Sequence, residues 1–217
     1  MNCVVTAGPT YESLDEVRRL TNFSTGRLGT ELAAFLTARG HDVTLLIGQL
    51  ATYRGERQAR RMETFTTTGD LRERLRNLAA EAPDALFHAA AVSDFGFGKI
   101  WRRADGGELS EIKSGKISTG AGTLLAELVP TPKIIAELRG WYPKARLVGW
   151  KFEMEGTRDD VIALAKRQIK ECHTDASIAN GRAYGEGFGF VTATTDSVHL
   201  ADMQALFPSL EKFLQGG

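Results

Sequence analysis

Short apolar runs alternate with amphipathic stretches along the first half of the chain. Val4-Val5-Thr6-Ala7-Gly8 has the pattern of a buried strand ending in a turn. From about Thr25 to Arg39, Leu28, Leu32, Phe35 and Leu36 recur at helical spacing, and Gly40 is a natural stop. Asp42 to Gly48 reads as a second buried strand, and Met62 to Thr68 as a third, β-branched and alternating. A helix from about Gly69 to Ala82 places Leu71, Leu75, Leu78 and Ala79 on one face, and Asp84 to Val92 reads as a fourth strand. This βαβ rhythm predicts a parallel sheet with helices on both faces.

The rhythm breaks between Ser93 and Pro130, where no helical period is sustained. Gly, Ser and Lys alternate there with short extended runs, Ile117-Ser118-Thr119 and Leu124 to Leu128. A structureless loop of that length is unusual in a compact domain, so a flap of short strands is expected at about 95–130. The rhythm then resumes. A helix is expected from about Pro132 to Gly140, a strand at Arg146 to Trp150, a helix from about Arg158 to Cys172 and a strand at Asp175 to Ala179. Phe188 to Thr192 and Ser197 to Leu200 read as a hairpin before a last helix. The expectation is one α/β domain over residues 1–217 carrying the flap as an insertion.

Composition narrows the field. At 217 residues the chain is long enough to bury a core without disulfides. Its 27 basic residues balance 27 acidic ones, so nothing draws the whole molecule to nucleic acid or an anionic membrane, and neither is expected as a partner. Cys3 lies in an apolar run and Cys172 in a helical stretch, which fits a reducing compartment. No segment approaches the ~20 apolar residues of a membrane span. The N-terminus lacks the basic start of a signal peptide. A cytoplasmic protein is expected.

In open parallel sheets, ligands bind outside the carboxyl ends of the strands. Gly8-Pro9-Thr10 follows the first strand, and about seventeen residues separate that strand from the first helix, so a tight dinucleotide-type glycine turn is absent. The helix start still offers Ser24, Thr25, Gly26, the basic Arg27 and unpaired backbone N–H groups, which suit a phosphate. An ordinary Ser/Thr cap explains the same residues equally well. After the fourth strand, the small Ala89, Ala90 and Ala91 would let a flat ring approach the backbone. Asp94 would then bind a ribose hydroxyl, a base or a metal; tight packing with Asp94 capping a turn is the competing explanation. Lys113 and Lys116 lie in the flap. Lys151 follows the buried Val148-Gly149-Trp150 run and is read as pointing into the cleft toward an anion. Arg54, Arg57, Arg60 and Arg61 read as a solvated loop, and His88 as a core residue. The histidines and cysteines show no metal-ligand spacing. There is no Gly-x-Ser-x-Gly elbow and no Walker-type lysine.

Seven stretches taken in order resemble the phosphopantothenate–cysteine ligase family. They are Val5 to Thr10, Asp15 to Arg18, Thr21 to Gly29, Ala90 to Phe95, Lys116 to Ser118, Thr131 to Ile134 and Val148 to Lys151. Asp175 to Asn180 also fits, so the likeness covers essentially the whole chain. The resemblance implies a Rossmann-like three-layer parallel sheet whose insertion serves as flap and dimerisation element. It implies a stand-alone synthetase, acting as a homodimer in coenzyme A biosynthesis. Its substrates would be 4'-phosphopantothenate, L-cysteine and a nucleoside triphosphate, CTP or ATP, with Mg2+ assisting. The acid would be activated as an acyl nucleotide and then attacked by the cysteine amine. By the same resemblance Asn22 handles that intermediate, since an amide can hold a carbonyl oxygen where charge develops. Lys116 and Lys151 would join Asn22 as catalytic groups. Gly8, Ser24, Thr25, Gly26, Arg27, Ala89, Ala90, Asp94 and Lys133 would contact nucleotide or phosphate, and Arg18 with Asn22 the substrate.

Three departures stand out. The family's Gly-Gly-Thr is Gly8-Pro9-Thr10 here, which removes a backbone N–H and fixes φ. Lys151-Phe152 replaces the two small residues of the CTP-dependent fused enzymes, and Gln168 and Cys172 fall where their downstream helix carries lysines. Lys151 is therefore expected to take over phosphate neutralisation. Competing expectations are a nicotinamide-dependent reductase or epimerase on a similar sheet, and a nucleotide-binding relative without ligase activity. Against the former, Tyr142 and Lys144 lack the Tyr-x-x-x-Lys spacing.

Overall fold

The computed structural model describes residues 1–112, 115–118, 122–193 and 197–216. The first strand, β1 (Asn2–Ala7), is buried from its second residue onward, which is why its apolar run is continuous rather than alternating. A hairpin of two three-residue strands follows, β2 (Tyr11–Ser13) and β3 (Arg19–Thr21). Then come α1 (Arg27–Ala38), β4 (Asp42–Gly48), β5 (Arg61–Phe65), α2 (Thr68–Leu78) with a short 3-10 turn, and β6 (Ala85–His88). The second half contains β7 (Phe95–Arg103), β8 (Leu109–Glu111), β9 (Thr123–Pro130), α3 (Ile134–Trp141), β10 (Arg146–Phe152) and α4 (Arg158–Cys172). It ends with β11 (Ala176–Asn180), β12 (Phe188–Thr192), β13 (Val198–Leu200) and α5 (Met203–Leu214).

Among the described residues, eight strands form one sheet in the order β13-β12-β11-β10-β6-β1-β4-β5. The strands from β5 across to β11 run parallel. β12 and β13 add an antiparallel edge. The chain moves outward from β1 through β4 to β5, returns beside β1 as β6, and leaves the other way through β10 and β11. The order therefore reverses between β1 and β6, and the crevice at that reversal is where such sheets bind ligands.

Side-chain alternation assigns each face its helices. Val5, Leu45, Phe87, Val148 and Ile178 meet Leu32 and Leu36 of α1 and Leu206 and Leu210 of α5. Val4, Leu46, Leu86 and Leu147 meet Leu71 and Leu75 of α2 and Ile134 and Leu138 of α3. α4 sets Val161 and Ala165 against Ala179 and Val191. Each fully buried Leu or Phe contributes roughly 1.5–3 kcal/mol.

Several boundaries differ from the sequence expectation, for physical reasons. The fourth strand ends at His88 rather than Val92, because the Ala89–Ala91 backbone leaves the ladder for other partners described below. β10 runs on to Phe152, so Lys151 lies inside a strand and not after it. The expected flap region is a three-stranded antiparallel sheet, β8-β7-β9, with a register shift between Phe97 and Ile100. Ile117 and Ser118 are outside any strand. Lys113 and Thr119 lie outside the described residues.

Candidate functional site

The carboxyl ends of β1 and β6 are joined beyond the last ladder pairs. Pro9 and Ala91 form a parallel bridge. Ala91 N–H donates to Gly8 O at 3.0 Å, and Thr10 N–H donates to Ala91 O at 3.1 Å. Neither bond uses the nitrogen of Pro9, so the proline departure leaves this junction intact. Two side chains brace it from below. Thr6 Oγ1 accepts from Ala90 N–H at 3.0 Å, and Thr10 Oγ1 accepts from Ser93 N–H at 2.8 Å. His88 lies beneath, its Nδ1 3.1 Å from Thr6 Oγ1, and burial pushes its imidazole down to about 4. It is thus a neutral, partnered core residue, as the sequence indicates.

Asn22 sits on this junction. Its Nδ2 donates to Ala91 O and to Val92 O, both at 3.2 Å. The β2–β3 hairpin delivers it there, and that hairpin is anchored in turn. Tyr11 N–H donates to Thr66 O, and Glu12 accepts Thr68 N–H at 2.9 Å, at the start of α2. The adjoining Phe23 is fully exposed, which is unusual for so large an apolar side chain.

The start of α1 bears on the plain-cap reading of Ser24 and Thr25. The residue before the helix is Gly26, in the left-handed region at φ 80°, and no side chain caps the helix. Thr25 Oγ1 accepts only the N–H of Arg27, at 3.2 Å. Thr25 thus takes one N–H, no side chain at the cap position itself takes another, and the N–H groups left at the first turn are the feature that attracts anions. Gly8 and Gly26 lie against each other beneath Ala51, and a Cβ on Gly29 would come within 2.8 Å of Thr6 O. Helix and strand are thus drawn to glycine-only contact, the packing a tight glycine turn provides, with the hairpin inserted between.

The charged residues are distributed less evenly. Arg27 pairs with Glu31 at 2.7 Å, and Tyr53 donates to the same carboxylate oxygen at 2.7 Å. Lys151 pairs with Glu153 at 2.7 Å and projects on the α3–α4 side, where Gly149 faces Ile135 and Gln168. Gln168 donates to Trp150 O and accepts from Ser177, so the position matched to a family lysine is filled by a packed amide. Lys133 precedes α3, with Nζ 3.9 Å from Glu171. Asp94 is exposed, and its carbonyl accepts from Thr131 N–H at 3.0 Å. Arg18 Nε donates to Asp15 at 3.0 Å and its Nη2 to Ile117 O at 2.5 Å. Lys116 is exposed beside that contact. Gly8, Asn22, Gly26 and Ala89 to Ala91 thus converge on one corner, whereas Lys133 and Lys151 are engaged by acids on the α4 side and along β10. Sequence reasoning gave Thr6 and Thr10 no role, although both lie in the Val5 to Thr10 stretch and are polar residues inside or just after a buried strand.

Among the described residues, no group of three or more His, Cys, Asp or Glu side chains is placed to hold a metal ion. Cys3 and Cys172 are free and buried, and burial pushes the Cys3 thiol up to about 12. Among the described residues, no helix is long and apolar enough to cross a membrane.

A sheet that reverses order beside β1, with an uncapped helix start over the reversal, defines a Rossmann-like α/β protein with a switch-point crevice. Within that class the chain belongs to the DNA/pantothenate metabolism flavoprotein C-terminal domain family, whose profile matches residues 1–213. It is 33% identical over 183 residues to the coenzyme A biosynthesis bifunctional protein CoaBC of Thermococcus kodakarensis, covering 84% of this chain and 42% of that protein. The chain thus spans less than half the length of that relative. The crystal structure of the DNA/pantothenate metabolism flavoprotein from Streptococcus pneumoniae superposes with a TM-score of 0.86 at 26% identity, covering 100% of this chain and 99% of that one. A Cab2 variant in complex with phosphopantothenate-cysteine shares the fold, with a TM-score of 0.74 at 20% identity over 99% of this chain and 86% of that one.

Proposed function

We propose that this chain joins 4'-phosphopantothenate to L-cysteine in coenzyme A biosynthesis. The observation that carries the reading is the placement of Asn22, held on the Ala91 and Val92 carbonyls beside an uncapped helix start. The likeness to the coenzyme A biosynthesis protein CoaBC supports it. In the first step a carboxylate oxygen of the acid attacks the α-phosphorus of CTP or ATP, the bond to the β-phosphate breaks, and pyrophosphate leaves. In the second, the cysteine amine attacks the acyl carbon, the nucleoside monophosphate departs with the bonding pair, and the amine loses a proton.

Each residue has a part in this scheme. The N–H groups at the start of α1, with Gly8, Ser24, Thr25, Gly26 and Arg27, bind phosphate oxygens. Ala89 and Ala90 leave room for the nucleotide, and Asp94 lies at its edge. The Nδ2 of Asn22, the donor expected from the sequence on the acyl oxygen, is engaged by two carbonyls, so the side chain instead offers Oδ1, an acceptor suited to orienting the attacking amine. Lys116 neutralises phosphate charge, and Lys133 and Lys151 join it once released from Glu171 and Glu153. Arg18 and Asn22 contact the substrate. Mg2+ would be an ion carried on the triphosphate, with the exposed Asp94 following the alanines of the same corner.

A homodimer is part of the same reading. Phe95 and Leu128 are exposed on the same face of β7 and β9, and Phe23 is exposed beside Asn22. A second copy would cover them.

Purified protein with CTP or ATP, Mg2+, the acid and cysteine should release pyrophosphate and form the amide. No pyrophosphate with either nucleotide would defeat the assignment. The glycine packing of β1 against α1 also suits a dinucleotide, and larger thermal stabilisation by NADPH than by CTP or ATP would favour a reductase instead.

A further inference from the structure

The tip of the β2–β3 hairpin holds a carboxylate that the turn alone does not require. The Asp15 side chain is 0% exposed, although the residues around it are largely solvated. Its Oδ1 accepts the N–H of Val17 at 3.0 Å and of Arg18 at 2.7 Å, an ordinary turn-closing pattern. Its Oδ2 serves a different purpose. It accepts Arg18 Nε at 3.0 Å, Arg18 Nη2 at 2.5 Å and the N–H of Ile117 at 3.2 Å. The same Nη2 donates to Ile117 O at 2.5 Å, so both polar groups of the Ile117 backbone are held by one ion pair. Two residues away, Glu16 N–H donates to Gly115 O at 2.9 Å. A side chain at Gly115 would meet the Glu16 carboxylate at 2.6 Å, so the approach is close. Ile117 is 4% exposed, while Lys116 and Ser118 on either side are exposed. The segment thus gains its place from this clasp rather than from a sheet.

The clasp connects two parts of the site. Lys116 lies between the two clasped residues, Gly115 and Ile117. Arg18 leads directly into β3, and β3 into Asn22. We propose that Asp15 is a positioning residue, which through Arg18 and Ile117 fixes Lys116 relative to Asn22. Its effect on turnover rests on the ligase reading; the clasp itself does not. The Arg18 guanidinium, followed by the backbone N–H groups, holds the Asp15 carboxyl well below the usual carboxylate range, so the clasp is charged at any neutral pH.

Asp15→Asn separates the two roles of the side chain. Its remaining carbonyl oxygen still closes the turn, but the amide nitrogen that replaces Oδ2 accepts nothing from Arg18 or Ile117. In the full chain, hydrogen exchange at the Ile117 amide should accelerate about 10-fold or more without a change in the global unfolding transition. Trypsin cleavage after Lys116 should accelerate in parallel. Turnover should fall by about 10-fold, and the double variant with Lys116→Ala should be no slower than Lys116→Ala alone, the non-additivity of residues acting as a unit. Unchanged exchange and cleavage would overturn the clasp. Accelerated exchange with fully additive losses would overturn its action through Lys116. If the wild-type chain shows no turnover, the ligase reading fails, while the exchange measurement still decides the clasp. Should Asp15→Asn fold poorly, Asp15→Ser offers a hydroxyl for the turn and the same expected outcomes.

Discussion

Gly8 and Gly26 face each other backbone to backbone: a Cβ on Gly26 would lie 3.3 Å from both the Cα and the nitrogen of Gly8, although the whole β2–β3 hairpin intervenes. The hairpin is therefore a loop closed at its neck. Because Gly26 also has φ 80° and its added Cβ would come 3.0 Å from Ala51, Gly26→Ala should cost about 1–3 kcal/mol. Denaturant midpoints measure this, and a nucleotide titration should show weaker binding than for the wild type. Undiminished stability and binding would mean that the neck is not strained by a methyl group.

Asn22→Ala should leave pyrophosphate release dependent on acid and nucleotide, yet lower amide formation by about 10²–10³-fold, the range seen when one positioned polar group is removed. The acyl nucleotide should accumulate, visible by mass spectrometry. Equal loss of both half-reactions would place Asn22 elsewhere in the scheme.

Lys151 and Glu153 are paired at 2.7 Å, so an incoming triphosphate must compete with a carboxylate. Lys151→Ala should weaken nucleotide binding, whereas Glu153→Gln should leave it equal or tighter. Both are measured by calorimetric titration. If Lys151→Ala binds nucleotide as well as the wild type does, the phosphate role passes to other cations.

His88 makes stability depend on pH. Its folded value is about 4 against 6.5 in the unfolded chain, so between these values the unfolded chain binds a proton that the folded one does not. Stability is fully present above about pH 7 and falls as pH drops from 6.5 towards 4, by about 3 kcal/mol in the limit. Urea midpoints across that window should show the slope, and His88→Gln should flatten it. An equal slope in both proteins would assign it to other groups.

Leu128 is exposed on β9 and should lie under a second copy. Leu128→Asp should shift sedimentation velocity from dimer to monomer without lowering the unfolding midpoint. A wild-type chain that is monomeric at micromolar concentration would remove the dimer from the proposal.

The sequence revealed some of these features and hid others. β1, β4, β6, β10 and β11 were legible because strands buried on both faces carry unbroken apolar runs. The β2–β3 hairpin was not, because Tyr11–Ser13 and Arg19–Thr21 have three residues each and largely face solvent. β9 was only partly legible: Thr123–Pro130 is rich in Leu, Ala and Glu, a helix-favouring composition that its pairing with β7 overrides. At the site, Asn22 and the alanines after β6 could be read from their motif. The clasp could not, since Asp15 and Ile117 are 102 positions apart and neither has an unusual neighbour.

The Pro9–Ala91 bridge has one further consequence. A proline is tolerated without loss only where its missing N–H had no partner, and the two bonds of this bridge come from Ala91 and Thr10. At such a position the ring acts chiefly on the unfolded chain, which has fewer conformations to lose, an effect of about 0.4–1 kcal/mol. The floor of the crevice is thereby stiffened before any ligand arrives, so less ordering remains to be done on binding.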